Sequence, residues 1–476
     1  MKSRIVFASF FWMTAISIAL AQTGPAKRSS QTTQREPNKQ DRAKLFGKDK
    51  ATYVFQNGRK PGQIDRVKVQ LKVGGEVFDV VDKKEQREKM SLECNLDYEE
   101  KTLRYSTNSQ DLPNSVRYYH RAEAAGKIGE HTFKTVLSAD RALIAVEITA
   151  KKPLLFSPKG ALTSNELELI DVQGNSLLMD RFLPDKPMAV GDTWNPSEKL
   201  MAQLLGLDEV GQTDVQCTLK EVVDKVARFE MAGSVAGAAD GVTTAIEIKA
   251  RYRYDLRRKR FDWLGLLVKE RRQTSSVSDG LDVVAQLQLT ILPAETTEYL
   301  NETDLKDLPT LSTPELLRLS HASNEGGWEI AYDRDWYVYR DQKNMAAVVL
   351  RRIERGDLIA QCNLSSLAEA KPDKLVSLED FQEDIKQALS KEFKEFVEAG
   401  QTVDQAGRRV LRVMVRGVTS DLPIFWTYYH IADGQGRQMS FVFTFEEKYL
   451  ERFGKADREL VESLRFVEAK QPPATK

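Results

Sequence analysis

From Thr52 to Leu292 the apolar residues of this chain return at every second position, and a period of two leaves extended strand as the only regular structure that buries them together. Val67, Val69, Leu71 and Val73 alternate with Lys68, Gln70 and Lys72, and Ile144, Val146 and Ile148 repeat the pattern. Gly74-Gly75 reads as a hairpin turn ahead of Val77 and Val80. A denser block follows at 215–223, 227–233, 243–256, 261–273 and 281–292. Its joins are short, which suits an antiparallel meander rather than βαβ winding. Each strand keeps one polar face, so one side of the sheet meets water or a partner. Two helical pieces interrupt the pattern. Residues 162–171 place Thr163 three positions before Glu166, the spacing of a capping box. Asn195-Pro196 reads as N-cap and first helical residue ahead of 199–205, and Trp194 is expected to pack over the Gly191-Asp192 turn.

Flanking segments set the domain plan. Lys2 and Arg4 precede an apolar run from Ile5 to Leu20 that ends in Ala19-Leu20-Ala21. That order predicts a signal peptide over 1–21, cleaved near Ala21, and an exported, periplasmic or secreted protein. No cysteine follows the small residues, so a lipid anchor is not expected. Residues 22–50 carry almost no large apolar side chains and are read as a disordered leader. A β-rich domain then occupies 51–292. Residues 293–325, with Pro293, Pro309 and Pro314, are read as a linker, residues 326–468 as a second domain and 469–476 as a tail. With 476 residues the chain has room for two or three cores, and with 70 basic against 70 acidic residues it lacks the basic excess that holds proteins to nucleic acid.

The second domain is α+β. Strands around Trp328-Ile330-Tyr332, 346–352 and 359–364 precede a helix capped by Ser377 and Asp380. Its apolar stripe is Leu378, Phe381, Ile385, Leu389, Phe393 and Phe396. Strands at 401–415, 425–431 and 438–445 lead to a closing helix over 449–464. The opening Trp328-Glu329-Ile330-Ala331-Tyr332 with Trp336, the 381–396 helix, the 407–415 strand and the final Ser463-Leu464-Arg465-Phe466 together resemble the PsbP/LpqN/DcrB-like family. The resemblance covers the last third of the chain. It implies an antiparallel sheet sandwiched by helices and an accessory or binding role without catalysis, and it carries over no site residue. In the first domain, Val190-Gly191-Asp192-Thr193-Trp194 loosely resembles a turn signature of exported β-rich bacterial proteins of planctomycete type, which implies no activity.

Chemistry is sparse. The four histidines, His120, His131, His321 and His430, form no metal-binding spacing, no Cys-x-x-Cys occurs, and no serine sits in a Gly-x-Ser-x-Gly elbow. No cofactor and no catalytic residue is nominated. Gly233, Gly237 and Gly241 lead into Val242-Thr243-Thr244 rather than a Lys-Ser/Thr and helix, so they read as a hairpin tip, not a phosphate loop. Cys94, Cys217 and Cys362 fall on the apolar phase of their strands, as core thiols. An oxidising compartment offers the alternative of a Cys94–Cys217 bridge. Arg251, Arg253, Arg257, Arg258 and Arg260 form the single concentrated charge feature, either an anion site or the charged edge that sheets need for solubility. The expectation is a non-enzymatic exported protein that binds an envelope partner or an apolar ligand. A hydrolase of envelope polymers and a purely structural bridge are the alternatives.

Overall fold

The computed structural model describes residues 51–81, 84–105, 112–275, 279–342, 347–371 and 374–467. The expected signal peptide, leader and C-terminal tail lie outside them. The chain forms two units, each built on an antiparallel sheet, with few helices, so the mixed β and α+β class expected from the period holds.

In the first unit, besides a short antiparallel ladder of Thr52–Tyr53 with Met188–Ala189, the strands are β1 Ile64–Val81, β2 Lys84–Arg104, β3 Asn114–Ile128, β4 His131–Val136, β5 Leu143–Ile148, β6 Pro153–Phe156 and β7 Leu162–Thr163. They continue as β8 Thr193–Trp194, β9 Glu209–Thr213, β10 Gln216–Val223, β11 Val226–Ala239, β12 Val242–Asp255, β13 Arg260–Arg272 and β14 Gly280–Ala294. All but β7 join one 13-stranded sheet ordered β8-β10-β11-β12-β13-β14-β1-β2-β3-β5-β6, with β9 on β11 and β4 on β3. Strand β12 shows why the period works: Ile246, Ile248, Ala250, Tyr252 and Tyr254 are buried, while Glu247, Lys249 and Arg251 are exposed. The first and last long strands close on each other, Ile64 opposite Ala294 and Phe78 opposite Gly280.

Helix α1 (Ser164–Ile170) and helix α2 (Glu198–Leu205) lie on the buried face. At α1 the capping box is formed, Thr163 accepting from the Glu166 amide while the Glu166 carboxylate takes the Thr163 amide. At α2 the cap is Ser197, whose hydroxyl accepts from the Leu200 amide, and not Asn195, which donates instead to the Val215 carbonyl across the neighbouring turn. Gly74-Gly75 is not a turn either. β1 runs straight through it, and a Cβ on Gly75 would overlap the backbone of Asp282 on β14, so the glycine answers a close approach between strands.

The second unit is a seven-stranded sheet. Its strands, after β15 Leu319–Ser323 and β16 Trp328–Tyr332, are β17 Trp336–Gln342, β18 Ala347–Glu354, β19 Asp357–Leu367, β20 Phe393–Val403, β21 Arg409–Thr419, β22 Leu422–Ala432 and β23 Gln438–Glu446, ordered β17-β18-β19-β23-β22-β21-β20. Helix α3 (Leu378–Leu389) packs Ile385 and Leu389 on Val413, Val415, Ile424 and Trp426. The apolar stripe expected to run on through Phe396 stops at Leu389. Ser390 takes a positive φ of 48°, and Phe393 and Phe396 belong to β20, which pairs with β21. On the opposite face Phe441, Phe443 and Phe445 meet Phe453, Leu460 and Val461. The closing helix is likewise broken, into Leu450–Phe453 and α4 (Ala456–Glu462), at Gly454.

Residues 293–325, read as a linker, are packed. Leu300 is fully buried with Val116 and Leu143, Tyr299 stacks on Tyr118 with ring centroids 3.8 Å apart, and β15 pairs in parallel with β7 of the first unit. One apolar core therefore runs through both units. Arg334 donates to the Leu155 carbonyl across the junction, and the Asp240-Gly241 turn meets the Arg355-Gly356 turn. Gly241 has φ 73° and Gly356 φ 82°, and a Cβ on Gly241 would overlap the Gly356 backbone.

Candidate functional site

The long sheet curls. Helix α2 packs on β9 and, through the Gln203 side-chain amide, donates to the Thr149 carbonyl beyond β5, near the other end of the strand order, so one short helix bridges distant strands. The hollow receives Val69, Cys94, Phe229, Ile248, Tyr252, Leu266 and Leu287 from the strands. Facing them are Leu169 and Ile170 of α1, then Leu177, Leu178, Met179 and Phe182 of the 171–187 segment, and Met201 and Leu204 of α2, all 5% exposed or less. An open apolar groove is what a curled sheet alone would offer. Here the chain's own segment fills it.

At one margin the filling is incomplete. Beneath α1 lies a pocket of about 90 Å³ floored by Leu71, Cys94, Ala124 and Leu169, with Phe133 and Val172 beside them. Lys134, Asn165 and Glu168, all exposed, stand at its rim. An apolar floor under a charged rim matches a molecule with an apolar chain and a polar head.

The opposite side of the hollow is ionic. Arg59 Nε lies 2.7 Å from Asp180 Oδ2, and its Nη1 lies 3.7 Å from Asp65 and 3.8 Å from Glu100. Arg117 Nε donates to Glu100 Oε1 at 2.8 Å, Ser176 Oγ donates to Glu100 Oε2 at 2.6 Å, and Arg260 Nη2 donates to Asp65 at 2.7 Å. Three guanidinium groups thus balance three carboxylates, all nearly inaccessible to water. Burial pushes the Glu100 carboxyl up, but Arg117, Arg59 and the Ser176 hydroxyl more than reverse this and hold it below the ordinary carboxylate range. For Asp65 burial wins over Arg260 and Arg59, and its carboxyl is raised. Arg59 also donates to the Ser176 carbonyl, and Arg117 to Asn175 Oδ1, so the network fastens residues 175–180 of the filling segment to β1, β2 and β3.

The arginines expected as a patch are divided. Arg251 pairs with Glu230 and Arg253 with Asp262 on the outer face, and Arg258 lies 3.9 Å from Asp255 in the β12–β13 turn that also carries Arg257. Arg260 points inward, 6% exposed, and belongs to the ionic cluster, so the five do not form one surface. The Cys94–Cys217 bridge is not formed. Both thiols are free and buried, on β2 and β10, with five strands of the sheet between them. Cys362 is a buried free thiol as well. His120 and His131 do not meet, since His131 pairs with Ile128 at the far end of β3. Among the described residues no group of three or more His, Cys, Asp or Glu is arranged to hold a metal ion, and no helix is long and apolar enough to cross a membrane.

No protein-family model matches the chain, and no curated protein matches it. Among solved structures, cyanobacterial PsbP from Synechocystis aligns over 34% of this chain and 98% of its own, at 14% identity and a TM-score of 0.27. The translocator domain of the autotransporter NalP from Neisseria meningitidis aligns over 82% of this chain and 90% of its own, at 7% identity and a TM-score of 0.10. The outer membrane protein OprD from Pseudomonas aeruginosa aligns over 82% and 96%, at 7% identity and a TM-score of 0.12. TM-scores this low carry no argument, and the PsbP likeness stands as a partial one, confined to about a third of the chain.

Proposed function

We propose that the first unit is a non-catalytic binding module for the apolar chain of an amphiphile, working outside the cytoplasm after export. The carrying observation is the pocket beneath α1, where Leu71, Cys94, Ala124 and Leu169 make an apolar floor at the margin of the hollow and Lys134, Asn165 and Glu168 stand at its mouth. At about 90 Å³ it holds only the first few carbons of such a chain, so a longer chain takes the place of side chains from the 171–187 segment. The interior charges are engaged with one another, Arg59 with Asp180, Arg117 with Glu100 and Arg260 with Asp65, on the other side of the hollow from this pocket. Export rests on the basic start and apolar run of residues 1–21.

Titration with cis-parinaric acid, a fluorescent fatty acid, tests the reading. Saturable binding by the native protein, lost in Ala124→Trp because the indole fills the pocket, is expected. Absence of binding by the native protein, or undiminished binding by a folded Ala124→Trp variant, refutes it.

A further inference from the structure

Strand β3 pairs along one edge with β2, but its other edge forks. β5 takes Asn114–Tyr118 and β4 takes Glu123–Ile128, so residues 119–122 have no ladder neighbour on that side. Two single bonds close the corners of the fork, Tyr119 N–H to the Ala142 carbonyl and Leu137 N–H to the Ala122 carbonyl. A bulge sits at the same place: Asp97 pairs with Arg121 and Tyr98 with Tyr119, leaving His120 as the extra residue. Bulges re-aim side chains. Tyr119 and Ala122 stay buried, whereas His120 and Arg121 are both exposed.

A cleft of about 460 Å³ opens here, within the range of small-molecule sites. One wall is aromatic. Tyr118 and Tyr299 stack at 3.8 Å with 3° between planes, and the His120 ring stands edge-on to both, at 5.2 and 5.6 Å. The polar side chains in and behind the cleft are already engaged, Glu99 also with Arg66 and Glu123 also with Lys134. His120 Nε2 lies 3.1 Å from Glu99 Oε1, Thr297 donates to the other Glu99 oxygen, and Arg121 Nε donates to Glu123 at 2.8 Å. The Glu298 carboxylate, and then Tyr118, raise the Tyr299 hydroxyl above its ordinary value.

A charged ligand would have to displace these pairs, and a purely apolar one would leave them dry. A neutral ring with one C–H face and a rim of hydroxyl groups does neither: its face lies on tyrosine, and its hydroxyls bridge Arg121, Glu123 and His120. We propose that the β3 fork is a binding site for a neutral saccharide ring, held by Tyr118, Tyr299, His120 and Arg121.

Isothermal titration of the full chain with cellobiose tests this, and the probe has no acyl chain, so the result is independent of the hollow. Saturable heat of binding is expected, weakened at least about tenfold by Tyr299→Ala and by Arg121→Ala. Arg121 is largely exposed and paired only with its near neighbour Glu123, so its variant folds even if the loss of a packed ring at 299 does not permit folding. No binding of cellobiose, native-like binding by the folded Arg121→Ala variant, or binding of p-nitrophenol in place of cellobiose would each overturn the proposal, the last in favour of a planar aromatic ligand.

Discussion

Replacing Arg59 with methionine isolates the ionic side of the hollow. The substitution keeps a long apolar stem but removes the charge 2.7 Å from Asp180. Glu100 retains Arg117 and Asp65 retains Arg260, so the uncompensated charge falls on Asp180, whose Oδ1 already lacks a hydrogen-bond partner. The Arg59 and Asp180 side chains are 1% and 0% exposed, and solvent screening does not soften the loss. Orphaning one member of such a pair costs about 3–5 kcal/mol. Coulomb's law gives the same scale, ~4 kcal/mol for unit charges about 4 Å apart at an effective dielectric constant of roughly 20. The double variant Arg59→Met/Asp180→Leu removes both charges and recovers most of the loss, because apolar replacement of a whole buried pair is often neutral. Hydrogen exchange read by mass spectrometry over residues 175–182, with urea unfolding of the native protein, Arg59→Met, Asp180→Leu and the double variant, supplies the double-mutant cycle. A single-variant loss below about 1 kcal/mol, or losses that simply add, would refute the idea that this network fastens the filling segment.

Two further outcomes follow from buried groups. In urea without reductant, all three thiols should react with iodoacetamide, while in the native protein Cys94 stays protected, since burial pushes its thiol up to about 12; a mass corresponding to one alkylated cysteine in urea would reinstate the bridge. In the second unit, burial first, and then Arg409, depress the His430 imidazole below its usual 6.5, against an opposing hydrogen bond with Gln438. The native state therefore resists protonation, so this contribution to stability is complete above about pH 6.5 and is lost as pH falls through the lowered value. The wild-type melting temperature should fall more between pH 7.5 and 5 than that of His430→Leu, and equal slopes would remove His430 as the source.

The strands were legible because Val67, Val69 and Leu71, or Ile246, Ile248 and Tyr252, announce a buried face by spacing alone. Helix ends were less so. Phe393 and Phe396 continue the helical spacing of Phe381 and Leu389, and only the pairing of β20 with β21 takes them into a sheet. Residues 293–325 looked like a connection because prolines stop local structure, yet Leu300 and Tyr299 find partners on strands more than 150 residues earlier. The ionic cluster does leave a signal in the sequence. Asp65 shares the inward phase of Val67 and Val69, Glu100 that of Cys94, Leu96 and Tyr98, and Arg117 that of Tyr119, so each is a charge on a core face. The fork cleft left almost none, because a bulge at His120 depends on where two short strands end.

The pairing of β1 with β14 also has a consequence for biosynthesis. One edge of β1 is satisfied by β2 as soon as that hairpin emerges, but the other waits for residues 280–294, roughly 200 residues later. At about 5–20 residues per second the ribosome leaves that row of amides and carbonyls unclaimed for ~10–40 s. During the delay Lys68, Gln70 and Lys72, alternating with Val67, Val69 and Leu71, are the local deterrent against adhesion to another nascent chain. Neutralising those lysines would lower soluble yield even where the finished molecule is no less stable.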